Sequence, residues 1–441
     1  MKRLALTLLI GAIFAPSANA ANLMDIYREA QASDAALASA QAAYQAGQEK
    51  LPQGRAQLLP SVNLSANSTW NQMDIQYRGH TTLPTGSLGY NSNGAVLSLS
   101  QPVYRRQNWA LYEEGRLQAA QAEIQYAAAR QDLILRVAQA YFDVLLAQDT
   151  VALARAQKQA IAEQLAQAKM NFEVGTATIT DTHEAQARYD LGNASEIAAL
   201  NDLELKQWAL EKIIGRLPQS LAALAAGMPL QGPEPDDMAK WVEAAQQNNL
   251  QVQVQRAAVE IASQEVARNR GGHHPTLDLV ASYGDTGATG SSNIGIGNDI
   301  KAATIGLQLN LPLYQGGATS SRIREAVANQ EKARQDLEQT VRQTALSTRE
   351  AYFGVTSGIS QVKALEQALI SSQSSLDSTR LGLEVGVRTN VDVLNAQQQL
   401  YSTKRDLYKA RYSYLLSRLR LKSAAGTLAE DDLQQVDQWL K

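Results

Sequence analysis

Side chains suited to catalysis or metal binding are few in this sequence. It contains no cysteine, which excludes a thiolate nucleophile and a zinc–thiolate site. His183-Glu184 lacks the second histidine of a zinc-binding helix, and His273-His274 precede Pro275 without an acidic neighbour, which favours a turn. We find neither a glycine-rich phosphate loop nor a plausible Ser/His/Asp set. We therefore expect no enzyme activity, no cofactor and no metal.

The most distinctive polar residues lie in two similar stretches, EVGTATITD at 173–181 and EVGVRTNVD at 384–392. In each, a glycine (Gly175 or Gly386) stands where a left-handed residue commonly ends a helix. Three residues later, a Thr-x-x-Asp pattern ending in Asp181 or Asp392 is typical of a capping box that begins the next helix. Each stretch therefore predicts a tight hairpin between two helices.

The two carboxylates have two interpretations. A carboxylate in the first turn of a helix caps it and meets the positive end of its dipole. A ring of carboxylates around an axis instead sets the ion selectivity of a pore. Arg388 lies one turn before Asp392, which is compatible with a role beside such a ring. The alternative is that Arg388 and Asp392 form only an i,i+4 surface ion pair, which contributes about 0.2–0.5 kcal/mol to stability.

The hairpin stretches belong to a longer repeat. They lie 211 residues apart, and AYFDV at 140–144 matches AYFGV at 351–355 at the same offset. A similar spacing relates Pro102 to Pro312. We interpret residues 21–230 and 231–424 as two copies of one structural repeat.

Each copy contains two segments in which apolar and polar residues alternate, as in a strand with one apolar face. In ATIGLQLNL, residues 303–311, every odd-numbered residue is apolar. Glycine-rich polar loops join the two segments of each copy. The predicted strands lie at about 60–77, 92–104, 275–285 and 302–313.

Helices fill the rest of each copy. In the first copy, a helix over 22–52 precedes the strands, a helix over 106–172 leads to the hairpin, and a helix over 180–215 returns from it. The second copy begins with a helix over 239–270. At 1.5 Å per residue the long helix measures about 100 Å and matches the two shorter ones placed end to end. This predicts strands at one end, the hairpins at 173–181 and 384–392 at the other, and irregular equatorial segments at 216–238 and 425–441 between them.

The first residues predict export. Two basic residues, an apolar run and Ala18-Asn19-Ala20 indicate a signal peptide at 1–20. The chain carries a net charge of −3, which argues against a nucleic-acid partner. No later run of eighteen apolar residues indicates a membrane-spanning helix, although this test does not detect outer-membrane strands. Only four Phe and five Trp are available for thick cores, which favours an elongated protein.

Strands with one apolar face cannot leave their edges unpaired in a bilayer, because no water satisfies the free backbone groups there. Three chains would together supply twelve strands, the first number expected to leave a lumen. The simplest closed solution is a homotrimeric tube that contacts outer-membrane lipid.

With these features the sequence resembles the outer-membrane efflux family, most closely its TolC branch. The resemblance covers the mature chain, including the strand-to-helix corner LNLPLYQGG at 309–317 and both hairpins, VGTATITDTHEAQARYD and VGVRTNVDVLNAQQQLY. It implies a mixed α and β membrane protein, in which a trimeric twelve-stranded β-barrel with four strands per chain continues into a periplasmic α-helical barrel with an equatorial domain. It also implies an entrance closed at rest and opened by an inner-membrane transporter with its periplasmic adaptor protein.

The resemblance assigns roles to hairpin residues. Asp392 matches the family's pore-ring aspartate, and Arg388 matches the arginine that ties neighbouring coils together in the closed state. Thr180 and Asp181 match its polar partners. The residues matching the tip motif that adaptor hairpins contact are Val174, Gly175, Val385 and Gly386.

Two positions depart from the family's pattern. Asn395 stands where a second ring aspartate is found, and Leu383 where a tyrosine takes part in closure. We therefore expect a ring of three charges from Asp392 alone, and a weaker latch.

The expected function is that of a passive exit duct in the outer membrane, extending into the periplasm, for efflux, type I secretion or both. Its energy must come from a partner, because nothing in the sequence binds nucleotide. An alternative is a barrel-anchored trimeric coiled-coil adhesin or structural spacer, which would pack an apolar core along its axis.

Overall fold

The computed structural model describes residues 20–80, 82, 85–218, 220–225, 227–291 and 296–440. Of the predicted signal peptide at 1–20, all but the last residue lie outside this part of the chain. In chain order the elements are α1 (Leu23–Ser33), α2 (Ala35–Gln48), α3 (Lys50–Ala56), β1 (Ser61–Ile75), β2 (Gly86–Tyr104), α4 (Arg106–Glu173), α5 (Ile179–Ile214), α6 (Met238–Asn248), α7 (Leu250–Arg270), β3 (Thr276–Ala288), β4 (Asn298–Asn310), α8 (Ala318–Glu384), α9 (Asn390–Ala424) and α10 (Glu430–Asp437).

Four helices form the two hairpins. The outgoing helices α4 and α8 hold 68 and 67 residues, and the return helices α5 and α9 hold 36 and 35. None contains a proline, and all are rich in good helix formers such as Ala, Gln and Leu. Within the described residues, no helix combines the length and apolar character needed to cross a membrane.

The shorter helices before each strand pair correct the sequence analysis, which expected one helix over 22–52 and one over 239–270. The first region is divided twice; at the first break Asp34 has an extended backbone, and its Oδ2 accepts the Leu37 N–H at 2.8 Å. The second region is divided at Asn249, whose side chain accepts two backbone N–H groups of α7. Asp and Asn favour such breaks because their side chains bond nearby backbone groups and start a new helix.

The strands form one antiparallel sheet in the order β1-β2-β3-β4. β1 pairs with β2 from Ser61↔Ser100 to Ile75↔Gly86, so the ladder continues well beyond the start expected at about 92. β3 extends to Ala288, and β4 occupies Asn298–Asn310 instead of 302–313. β2 and β3 are longer than expected because backbone hydrogen bonds continue the ladder beyond the end of the apolar alternation. β4 ends earlier than expected because Pro312 has no N–H to donate to a ladder.

One face of this sheet is apolar and uncovered by the described residues. Leu64 lies opposite Leu97, Leu97 opposite Tyr283, and Leu279 opposite Leu307. Leu64 and Leu307 are 73% and 68% exposed. The outer edges of β1 and β4 also have no partner strand in the described part of the chain. An apolar face with free edges is unfavourable in water and requires further cover.

The chain divides into two compact units. One includes the described residues up to Ala38, with Ala129–Ala245 and Ala345–Lys441, and contains the turns of both helical hairpins and the return helices α5 and α9. The other, Ser39–Ala128 and Gln246–Thr344, contains the sheet. Each unit therefore draws segments from both of the repeats expected at 21–230 and 231–424.

The segments expected to be irregular, 216–238 and 425–441, lie in the unit with the hairpins. Leu221 forms an isolated bridge with Ala21, and Leu224 forms one with Leu440. The second segment is not wholly irregular, because α10 lies within it. A carboxylate begins this helix, since Asp432 accepts the Ala429 N–H at 2.9 Å.

Candidate functional site at the helical hairpins

Each hairpin turns through a glycine with a left-handed backbone. Gly175 has φ +77° and Gly386 has φ +80°. After α4, the Thr176 N–H donates to the Asn171 carbonyl at 2.8 Å, and the Gly175 N–H donates to the Phe172 carbonyl at 3.0 Å. The same two bonds end α8, at 2.8 and 3.1 Å. This geometry satisfies the last carbonyls of each helix and favours glycine, as the sequence pattern predicted.

Both predicted capping boxes are present. Asp181 Oδ2 accepts the Thr178 N–H at 2.9 Å, and Thr178 Oγ1 accepts the Asp181 N–H at 3.3 Å. The equivalent bonds between Thr389 and Asp392 measure 2.9 and 3.2 Å. Capping is therefore confirmed for both carboxylates, and a second role of either must be compatible with it.

The environment of Asp392 keeps its carboxylate charged. Its pKa lies below the ordinary value of an aspartate, chiefly because the Thr389 backbone N–H donates to it. The Thr389 hydroxyl and the positive charge of Arg388 act in the same direction. The negative charge is therefore retained at neutral pH and in moderately acidic solution.

Arg388 forms no ion pair among the described residues, so the i,i+4 pair with Asp392 is not made there. Its side chain lies over Gly382 instead, where an added Cβ would come within 2.7 Å of the Arg388 Cγ. Gly382 thus lets the arginine cross closely over the end of α8.

A polar cleft of about 600 Å³ lies between the two hairpins. Four of the predicted site residues line it: Asp181, Leu383, Gly386 and Arg388. The others lie outside its described lining: Val174, Gly175, Thr180, Val385, Asp392 and Asn395. Val174 and Val385, at the tips, are each 66% exposed, and Thr180 is exposed at the second position of α5.

Leu383 packs, half-buried, against the apolar cluster formed by Leu376, Val393 and Leu400. A leucine in this position contributes apolar contact between α8 and α9 but has no hydroxyl group to donate. It therefore cannot make the hydrogen bond available to a tyrosine.

Arg188 of α5 is a further residue of this site that no sequence motif marked. Its guanidinium donates to the Asn395 Oδ1 at 3.1 Å and to the Gln398 Oε1 at 2.6 Å, both on α9. The only signal in the sequence is Glu184, four residues earlier, which is typical of an ordinary surface pair. The contact with α9 depends on how the two helices are rotated against each other, which no sequence pattern specifies.

In the part of the chain that the structure describes, no three His, Asp or Glu residues are grouped to hold a metal ion. The hairpin site offers fixed charges, hydrogen bonds between helices and two exposed tips. Such an arrangement suits electrostatic selection and mechanical gating of a passage.

The fold is that of outer-membrane channel proteins. The chain superposes on the crystal structure of the outer membrane protein VceC from Vibrio cholerae with a TM-score of 0.77. The match covers 92% of this chain and 96% of that chain at 21% sequence identity, a level at which the likeness concerns the fold alone.

The sequence defines the family. A model of the outer membrane efflux protein family matches residues 26–216 and 241–427. The chain is 38% identical over 424 residues to the outer membrane protein TolC of Vibrio cholerae, covering 96% of this chain and 94% of the relative. It is 33% identical over 428 residues to the proteases secretion protein PrtF of Dickeya chrysanthemi, covering 96% and 92%.

The protein belongs to the outer membrane efflux protein family, which confirms the resemblance drawn from the hairpin and corner motifs. It is accordingly a protein of the outer membrane, and its family consists of channel proteins rather than enzymes.

Proposed function

We propose that this protein is a subunit of a homotrimeric channel that serves as an exit duct across the outer membrane. The observation that carries the proposal is the uncovered apolar face of the sheet, with free edges on β1 and β4 in the described chain. In lipid such edges must be closed, because each unpaired backbone group costs several kcal/mol. Pairing β4 of one chain with β1 of the next closes them all.

Three copies give a closed barrel that still has a lumen. Two chains would supply eight strands, whose interior is filled by side chains, whereas three supply twelve. The opposite face of the sheet suits a wet lumen, since Ser98 lies opposite Ser282, and the Ser282 and Thr304 hydroxyls are hydrogen-bonded at 2.7 Å.

The helices form the periplasmic part of the duct. We interpret the paired helices α4 and α8, and α5 and α9, as products of an internal duplication, which gives a trimer six similar hairpins around its axis. Segments 216–238 and 425–441 form the equatorial domain. The matching lengths of the paired helices and the equivalent bonds at the two tips support this interpretation.

The duct carries both effluxed compounds and secreted proteins. The family model describes efflux proteins, and PrtF is named for protease secretion. A periplasmic adaptor and an inner-membrane transporter supply the energy. The adaptor contacts the exposed tips at Val174-Gly175 and Val385-Gly386.

The hairpins form the entrance. Asp392 of three chains makes a ring of three negative charges, while Asn395 adds none. Arg388 ties one chain to Thr180 and Asp181 of a neighbour in the closed state. Leu383 makes only apolar contacts, so the latch is weaker than one that includes a tyrosine.

The mass of the detergent-purified protein tests the proposed assembly. Native mass spectrometry should find three chains released together from one micelle. A folded protein that remains a single chain and stays in solution without detergent would contradict the proposal.

A further inference from the structure

Arg188 joins the two return helices within one chain. Its Nη1 donates to the Gln398 Oε1 at 2.6 Å, and its Nη2 donates to the Asn395 Oδ1 at 3.1 Å. Its Nε donates to Glu184 on its own helix at 3.1 Å. All three guanidinium nitrogens are thus engaged, and the side chain is only 27% exposed.

The geometry of this contact, which we call the Arg188 clasp, is more specific than that of a surface ion pair. Asn395 and Gln398 are three residues apart and therefore lie on one face of α9. The planar guanidinium can reach both only in one orientation. Glu184 fixes that orientation from the previous turn of α5.

The clasp lies beside an apolar contact between the same helices. Ala185 of α5 and Leu394 of α9, 0% and 3% exposed, belong to one buried cluster with residues of α4. Ala185 follows Glu184 directly, and Leu394 precedes Asn395. Any movement of α5 away from α9 at this level must break the clasp together with the apolar contact.

The clasp is also one turn from the entrance charge. Asn395 follows Asp392 by three residues on α9, so the two side chains share a face of that helix. Rearrangement of the hairpins around Asp392 is therefore transmitted to the acceptors of Arg188.

We propose that Arg188 is a positioning residue of the gate, fastening α5 to α9 within each subunit and opposing the helix movement that opens the entrance. This inference rests on the proposed channel function. It identifies a latch inside one subunit, made by residues other than Arg388, Thr180 and Asp181.

Asn395, a neutral acceptor, limits the strength of the Arg188 clasp. An aspartate there would turn the Arg188 hydrogen bond, which already has a charged donor, into an ion pair and add the attraction between two opposite charges. Asn395 therefore keeps the clasp weak enough to release. Asn395→Asp should hold the entrance closed more firmly, although the same change adds negative charge to it.

The first test compares Arg188→Met with Arg342→Met in the full-length protein in planar lipid bilayers. Arg342 is a matched control, because its Nε donates to Glu338 four residues earlier at 2.8 Å, and it bonds no other element among the described residues. Arg188→Met should raise the ratio of open to closed time by roughly threefold to tenfold, the change that corresponds to the net loss of one ordinary hydrogen bond. Arg342→Met should match the parent.

Further variants separate gating from a loss of folding. Arg188→Lys, which keeps the charge but has a single donor nitrogen instead of the planar fork, should lie between the parent and Arg188→Met. Asn395→Asp should lower the open fraction, and combining it with Arg188→Met should abolish that decrease while raising cation selectivity.

Equal open fractions in the parent and Arg188→Met, or an increase in Arg342→Met as large as that in Arg188→Met, would overturn the proposal. A rise of the open fraction in Asn395→Asp would do so as well. The absence of any current from both the parent and Arg188→Met, with each inserted in the bilayer, would instead overturn the channel function itself, so the two failures are distinguishable.

Discussion

Asp392 uses one carboxylate oxygen for structure and keeps the other available. The hydrogen bonds that it accepts in the capping box both go to Oδ2, from the Thr389 N–H and hydroxyl at 2.9 Å each. Asp181 uses its Oδ2 in the same way. Capping and a role in a charged ring are therefore compatible, and the sequence alternatives for Asp392 do not exclude each other.

Replacing Asp392 by asparagine separates these two roles. Asp392→Asn keeps an oxygen acceptor for the cap and removes the charge, so it should weaken cation selectivity and block by polyvalent cations while leaving thermal stability close to that of the parent. Asp392→Ala should weaken selectivity equally and also lower the unfolding temperature, because it removes the cap. Reversal potentials in a salt gradient measure selectivity. If both variants had the reversal potential of the parent, Asp392 would not contribute to the charged ring.

The lowered pKa of Asp392 predicts how selectivity depends on pH. A carboxylate whose pKa is lowered by folding remains charged as the pH falls to the ordinary aspartate value of about 3.9, and is neutralised only as the pH falls through the lowered pKa. Its contribution to stability follows the same course. Cation selectivity should therefore persist from neutral into moderately acidic solution, where the other two charges of the proposed ring act against the lowering of the pKa. A loss centred above pH 7 would indicate a different group.

Arg388 should restrain the resting state. We expect Arg388→Ser to raise the resting conductance, because serine cannot span the distance to a neighbouring chain or carry the charge. Arg342→Ser is the control, because it removes an exposed arginine of α8 and should leave the resting conductance unchanged. A resting current equal to the parent's would remove Arg388 from the latch.

Local chemistry at single residues was predictable from the sequence where neighbours along the chain determine it. The glycines at 175 and 386 and both Thr-x-x-Asp boxes were found in this way. The Arg188 clasp and the cleft beside Arg388 were not, since they depend on packing between helices far apart in the chain.

At the level of elements, the hairpins are specified by short signals. A left-handed glycine ends one helix, and a capping box starts the next within a few residues. The breaks at Asp34 and Asn249 use the same capping chemistry, but without a glycine or proline beside them. The sequence pattern of these regions therefore predicts continuous helices.

The glycine signal gives a direct prediction. Gly386→Ala should destabilise the second hairpin by about 1–2 kcal/mol, because an alanine with φ near +80° brings its Cβ too close to the following carbonyl. Gly175→Ala should cost a similar amount. Gly232→Ala is the control, since Gly232 has open space around it but no positive φ.

Thermal unfolding of the purified variants measures this cost. Equal unfolding temperatures for Gly386→Ala and Gly232→Ala would show that the left-handed conformation does not specify the turn.

For the whole molecule, the alternating pattern predicted four strands per chain and an apolar face, and the described residues contain both. The strand ends were less predictable, because ladder hydrogen bonds extend beyond the alternation. The number of chains in the assembly follows from closure of the barrel and stays a prediction.

A charge on the apolar face should impair insertion into lipid. Leu307→Arg should cost up to about 2–4 kcal/mol, the range for arginine on the lipid face of a barrel near the bilayer midplane. Gly306→Arg is the matched control, because the adjacent residue faces the opposite side and has open space around it. Folding into lipid vesicles should fall for Leu307→Arg only, and an equal loss in both variants would contradict the assignment of faces.

The current carried by the purified protein in a planar lipid bilayer tests the proposed hollow duct most directly. Three chains closing one barrel around a polar lumen should give discrete, stepwise increases in conductance, with larger steps once Arg388 is replaced by serine. A folded, membrane-inserted protein that passes no current above that of the lipid alone, in either form, would contradict the duct and favour the spacer.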